Sequence, residues 1–425
     1  MSETQPAFLR DVPYMGVIWV VHEASKLGFV NGHPDWCNLG QGQPEVGPME
    51  GAPPRIQSVE LQPADHAYGP LGGIDELRES VAAHTNRLHR RGHASQYGRS
   101  NIAVAQGGRL ALSRALAALG AVNVGYQLPD YTAYEDMLDL HLARVTPIPL
   151  RAPESNGFAI TPEQFERAVV EQGLTALLLS NPCNPTGRVL QGAELEALVR
   201  IARERRVLLL MDEFYSHFIY KPGRDGQWGP GDGPVSSCAF VHDVERDPVL
   251  VFDGLTKCFR YPGWRVGWVA GPSALVETVA RVASAMDGGP SRIAQRAALQ
   301  ALQPAAADQE TTALRRVFAK KRNIMVSALR ELGVTFAREP ESTFYAWGNL
   351  SALPEPLNDS MAFFRRAIER KVMTVPGEFF DVNPGKRRAG RLSRFRRHVR
   401  LSFGPEIDVI EKAMDRLEGM IREAK

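Results

Sequence analysis

A chain of 425 residues, 44% hydrophobic and 23% charged, is long enough for more than one domain and has a globular composition. A net charge of +2 excludes a global pull toward nucleic acid or a membrane surface, and no stretch approaches the roughly 20 apolar residues of a bilayer span. The four cysteines, Cys37, Cys183, Cys238 and Cys258, lie far apart with no CxxC pair. That spacing argues against a disulfide framework or a zinc site and for a reducing, cytoplasmic setting.

Taken in chain order, the first apolar run is "VPYMGVIWVV" (12–21). No small-residue cleavage site follows it, so it reads as an ordered segment packing on a core. Gly and Pro then crowd "NLGQGQPEVGPMEGAPP". From about residue 100, short apolar runs alternate with helical patterns. "NIAVAQGG" (101–108) leads into "RLALSRALAALG", "TALLLSN" (175–181) ends in a Pro/Asn/Gly cluster, and "QGAELEALVRIARERR" (191–206) repeats its apolar residues at helical spacing. "VLLLMDE" (207–213), "PVLVFDG" (248–254) and "RVGWVAG" (265–271) follow. Continuous apolar strands separated by helices predict an α/β domain with a mostly parallel central sheet flanked by helices. Beyond about 305 come long amphipathic helices with short strands such as "TFYAWG" and "HVRLSF". The division read from this pattern is an N-terminal segment (1–55) and a C-terminal region (306–425) forming a smaller α+β domain around a large domain (56–305).

Ligands of open α/β sheets sit at the carboxyl ends of the strands, and here three strand ends turn polar together. "ALLLS" exits into "NPCNPTG" (181–187), "VLLLM" into Asp212, Glu213 and Tyr215, and "VLVFDGLT" into Lys257, with Arg265 further on. Each cluster alone is compatible with ordinary turn chemistry. Together they suit pyridoxal 5'-phosphate: a lysine amine forms a Schiff base with its aldehyde, and the amine later carries a proton at the substrate α-carbon. A buried carboxylate such as Asp212 is costly without a cation, and the protonated pyridine nitrogen supplies one.

"NPCNPTG", "MDEFY" and "DGLTKCFRYPGWRVGW", in that order and at these intervals, resemble the class I/II aminotransferases of the fold type I pyridoxal-phosphate enzymes. "YGPLGGIDELRE" (68–79) and "HVRLSFG" (398–404) extend the likeness over nearly the whole chain. The resemblance implies that Lys257 bears the cofactor and Asp212 pairs with its ring nitrogen. It implies that Asn184 and Tyr215 bond the ring hydroxyl oxygen, and that Tyr131 stacks on the ring, although an isolated tyrosine could equally be core. Gly107, Gly108 and Arg109, between a strand and a helix, suit a phosphate; Arg265 adds a fixed charge. Tyr68 would reach the phosphate of a neighbouring subunit, which implies a homodimer with shared sites. Arg400 would grip the substrate α-carboxylate as a bidentate pair, and Gly42 would line the pocket by its backbone.

Two departures carry information. Where many relatives place a serine three residues before the lysine, this chain has Gly254, while Thr256 keeps a hydroxyl beside Lys257. Arg109 stands where some aspartate-using relatives have a lysine that contacts the distal carboxylate. It is therefore a candidate selector of acidic substrates, the alternative being a contact to phosphate or to a neighbouring carboxylate. The stretch "GKRRAGRLSRFRRHVR" (385–400) holds eight lysines and arginines. It reads as a solvated loop or as an anion-attracting lid near Arg400, and not as a nucleic-acid site, since no aromatic interleaving or binding fold accompanies it. The histidines show no metal spacing, and neither GxGxxG nor GxxxxGK[ST] occurs.

The expected activity is transfer of an amino group between an L-amino acid and a 2-oxo acid by a ping-pong route. A β-lyase or a specialised cyclase or synthase on the same fold is the alternative. A binding module without catalysis is disfavoured by the joint presence of Lys257, Asp212 and Arg400.

Overall fold

The structure, a computed structural model, describes residue 8, residue 12 and residues 14–224, 226–388 and 390–424. Its centre is a seven-stranded sheet in the order Ile102–Gln106, Val266–Ala270, Val249–Gly254, Leu208–Asp212, Ala176–Ser180, Val122–Leu128, Val145–Arg151. All neighbours are parallel except Val266–Ala270, which runs antiparallel to both strands beside it. The mostly parallel sheet expected from the apolar runs is present.

The strands are apolar on both faces because helices cover both. Ala193–Arg205 buries Leu195, Leu198, Val199 and Ala202 while Glu196, Arg200 and Glu204 face solvent. Its last turn closes on Arg206 in the left-handed region (φ 55°) and the chain enters the Leu208–Asp212 strand directly. Two of the seven strands, Val122–Leu128 and Val145–Arg151, were not among the runs read from the sequence. Val145–Arg151 contains Pro147 and Pro149, which cannot donate to a ladder, and it lies at the sheet edge, where proline is tolerated.

Both chain ends build a second layer. Cys37–Asn38 pairs with Val372–Met373, and a three-stranded antiparallel sheet sets His398–Ser402 between Tyr345–Asn349 and Val375–Pro376. The Ile407–Glu423 helix packs on the 28-residue helix Pro304–Glu331. The early apolar run forms the helix Gly16–Lys26, anchored by buried Val20 and Ala24. Among the described residues no helix is long and apolar enough to cross a membrane.

Candidate active site

A cavity of about 710 Å³ opens where the polar strand ends meet the terminal layer. Ser180 and Asp212 end adjacent parallel strands and lie opposite each other in register. Thr256 and Lys257 follow the next strand, Val249–Gly254. Arg265 reaches the same edge for the opposite reason: the Val266–Ala270 strand is antiparallel, so its beginning lies where its neighbours end.

Eleven of the thirteen residues expected at the site line this one cavity: Gly42, Gly108, Arg109, Tyr131, Asn184, Asp212, Tyr215, Thr256, Lys257, Arg265 and Arg400. Gly107 lies just behind them. Its φ of 82° favours glycine, and the Arg265 guanidinium packs against it where a Cβ would sit, 2.1 Å from the nearest nitrogen. Tyr68 does not join the cavity; its side chain is 100% exposed.

Charge inside the cavity is unbalanced. Burial pushes the Asp212 carboxyl up to about 6, and the Tyr134 hydroxyl donates to its Oδ2 (2.8 Å). The Phe214 N–H donates more weakly to Oδ1 (3.5 Å). No arginine or lysine makes an ion pair with Asp212 among the described residues. Lys257 is pushed down to about 7, first by burial and then by the positive charges of Arg400, Arg265 and Arg109, with Asp212 opposing. Its Nζ donates to the Gly42 carbonyl. Arg400 is 1% exposed and donates to Asn184 Oδ1 (3.0 Å) and Gly40 O (2.8 Å) while lying over the Tyr345 ring (4.1 Å). Arg109 donates to the Tyr131 hydroxyl (2.9 Å), and Tyr215 and Tyr345 share a hydrogen bond (2.9 Å).

The donor set fits pyridoxal phosphate on grounds internal to this chain. Asp212 is a buried carboxylate in want of a cation. The Thr256 hydroxyl is buried with no partner among the described residues. Gly108 approaches the Phe214 ring so closely that a Cβ would sit 2.0 Å from it, which brings the backbone at the helix start to the cavity wall. Gly254, found in place of the serine, also has a steric cause. A Cβ there would lie 2.5 Å from the Val266 carbonyl and 2.7 Å from the Gly267 Cα, so the antiparallel neighbour leaves no room for a side chain.

The sequence reading passed over Tyr134, Ser180 and Tyr345. Tyr134 lies in the same "DYTAY" segment as Tyr131, which was the only signal available. Ser180 donates to buried Asp130, and Tyr345 reaches the cavity from the second sheet; neither contact follows from local pattern.

A parallel sheet exiting into a lysine, an uncompensated carboxylate and an anion-ready helix start defines a pyridoxal-phosphate enzyme of fold type I. The family model for aminotransferase class I and II matches residues 34–417, and this chain belongs to that family, whose members transfer amino groups with pyridoxal phosphate. It is 30% identical over 375 residues to an aspartate aminotransferase of Streptomyces avermitilis, covering 85% of this chain and 83% of the relative. An aspartate/prephenate aminotransferase of Cereibacter sphaeroides is 28% identical, covering 97% and 98%. Among solved structures, the Thermus thermophilus aspartate aminotransferase with maleate superposes with a TM-score of 0.77 at 25% identity, over 97% of this chain and 100% of that one.

Proposed function

We propose that this aminotransferase takes an acidic amino acid, of the aspartate or glutamate type, as donor and a 2-oxo acid as acceptor. The observation that carries the reading is the presence, in the same cavity as Lys257, of two guanidinium groups, Arg400 and Arg109, besides Arg265, which is assigned to the phosphate. A dicarboxylate offers one anion to each. Arg400 is held by Asn184 and Gly40 with no acidic partner among the described residues, which leaves it available to the α-carboxylate. Arg109 is hydrogen-bonded to the Tyr131 hydroxyl, its strongest partner, with a weaker attraction from Asp136, and it makes no ion pair among the described residues. The names of the relatives, aspartate and aspartate/prephenate aminotransferase, support the same substrate class.

When bound, the coenzyme supplies an aldehyde that accepts the amino group and an electron-withdrawing ring. The chain's residues do the rest. Lys257 Nζ would hold the aldehyde carbon and would carry the proton at the substrate α-carbon, a task suited to an amine near neutrality. Asp212 would keep the ring nitrogen protonated, and Asn184 and Tyr215 would address the ring oxygen. Tyr131 covers a ring face. Gly107, Gly108, Thr256 and Arg265 hold the phosphate, joined by Tyr68 from a second subunit of a homodimer, and Gly42 lines the substrate space. We further propose the division into 1–55, 56–305 and 306–425, and a cytoplasmic location, which suits four buried, unbridged cysteines.

Arg109→Ala tests the substrate class. Loss of one charge-assisted contact of about 2 kcal/mol should lower kcat/KM for aspartate roughly 30-fold while leaving alanine within a factor of two or so. An unchanged aspartate-to-alanine preference removes Arg109 from this role.

A further inference from the structure

The described residues of the basic stretch, 385–388 and 390–400, are held in place by acids already engaged. Lys386 donates to Glu135, and the Asn383 N–H donates to the other oxygen of that carboxylate (2.7 Å). The Gly385 N–H donates to Asp139 (3.0 Å), with Gly385 at φ 68°. Asp381 receives Arg388 (2.6 Å) and the Ser393 hydroxyl (2.9 Å). Phe395, 1% exposed, plugs the far end between Phe158, Trp347 and His398. What remains outside is Arg387, Arg391, Arg394 and Arg397, all exposed and none in an ion pair with a described residue.

The position of this surface gives it a use. The helix Ala133–Asp139 is shared: Ala133 and Asp136 line the cavity, while Glu135 and Asp139 hold the loop. Lys386 Nζ also lies 3.8 Å from the sulfur of Met15, another cavity residue. Seven helical residues span roughly 10 Å, close to the Debye length of about 8 Å at physiological ionic strength. Arg387 follows Lys386 directly, and four uncompensated charges on a loop anchored to the cavity's own helix raise the local concentration of anions at the cavity mouth.

We propose that Arg387, Arg391, Arg394 and Arg397 form a cationic collector that draws dicarboxylate substrates to the active site. The proposal rests on the acidic-substrate reading and deepens it. Arg388 and Lys386 pin the loop, and the four exposed arginines supply its field.

The test compares the holoenzyme with a variant carrying Arg387→Gln, Arg391→Gln, Arg394→Gln and Arg397→Gln, and with the corresponding four-lysine variant. kcat/KM is measured for 2-oxoglutarate and for pyruvate from about 0.02 M to about 0.5 M salt. The wild-type value for 2-oxoglutarate should fall about tenfold across that range, and pyruvate, with one charge fewer, should fall less. The glutamine variant should start roughly three- to tenfold below wild type, converge with it at high salt and keep kcat, and the lysine variant should follow wild type. Equal salt slopes for wild type and the glutamine variant overturn the proposal, as does a lysine variant that behaves like the glutamine one. The two readings fail separately. Aspartate-to-alanine preference of Arg109→Ala is read at high salt, where the collector is screened, and the collector is read from the low-salt slope.

Discussion

Lys257 and Asp212 share one cavity, and their ionisation is set by competing surroundings. Burial lowers the lysine, three arginines push it the same way, and Asp212 resists, with the balance near 7. The neutral amine is the form that attacks an aldehyde, so the rate at which apoenzyme captures added pyridoxal phosphate should rise with pH through about 7 and level off above it. Stopped-flow absorbance measures this directly. Arg400→Gln removes a repelling charge and should move the midpoint upward; Asp212→Asn removes an attracting one and should move it downward. Midpoints shifting in the same direction would contradict this account of the electrostatics. Lys257 and Asp212 were legible in the sequence because each ends or follows an apolar strand with a charged group, whereas Asn184 and Arg400 were reached through the resemblance of "NPCNPTG" and "HVRLSFG" to the aminotransferases. Tyr134 was not legible, since its bond to Asp212 joins segments 78 residues apart and an aromatic in a helix looks like core.

At the scale of elements, the close approach of Val249–Gly254 and Val266–Ala270 fixes what the loop to Lys257 can contain. The Gly254 Cα faces the Val266 carbonyl and the Gly267 backbone, groups that cannot move aside as a flexible side chain would. Gly254→Ser, which restores the residue many relatives carry, should therefore destabilise the fold by about 1–3 kcal/mol. A lower midpoint in denaturant titration would show it, with the slope unchanged. A neutral result would mean the two strands separate easily. The same pair shows where pattern reading stops. Both strands were visible as apolar runs, but their antiparallel pairing was not, because a strand buried on both faces reads alike in either direction. The edge strand Val145–Arg151 was obscured by its two prolines for a related reason: edge placement is a property of the sheet, not of the segment.

For the whole molecule, Tyr68 is the residue the cavity fails to explain. It is 100% exposed, and the turn that carries it lies against Gly289 and Arg292, on the segment that also carries exposed Met286 and Ile293. The turn is held firmly: Arg292 and Arg296 both reach buried Asp65 (3.2 and 3.1 Å). A fully exposed tyrosine on a firmly held turn fits a surface covered by a second copy of the chain. If Tyr68 completes the neighbour's phosphate site, then Tyr68→Ala and Lys257→Ala damage different subunits of the same site. Mixed dimers would contain one site with both defects and one with neither. Unfolding and refolding an equal mixture of the two variants should therefore return about a quarter of wild-type activity, since half of randomly assorted dimers are mixed and each has one intact site. Each variant refolded alone should stay near its own low level. Activity in the mixture no higher than the mean of the two separate variants would place Tyr68 in its own subunit's site, or in none.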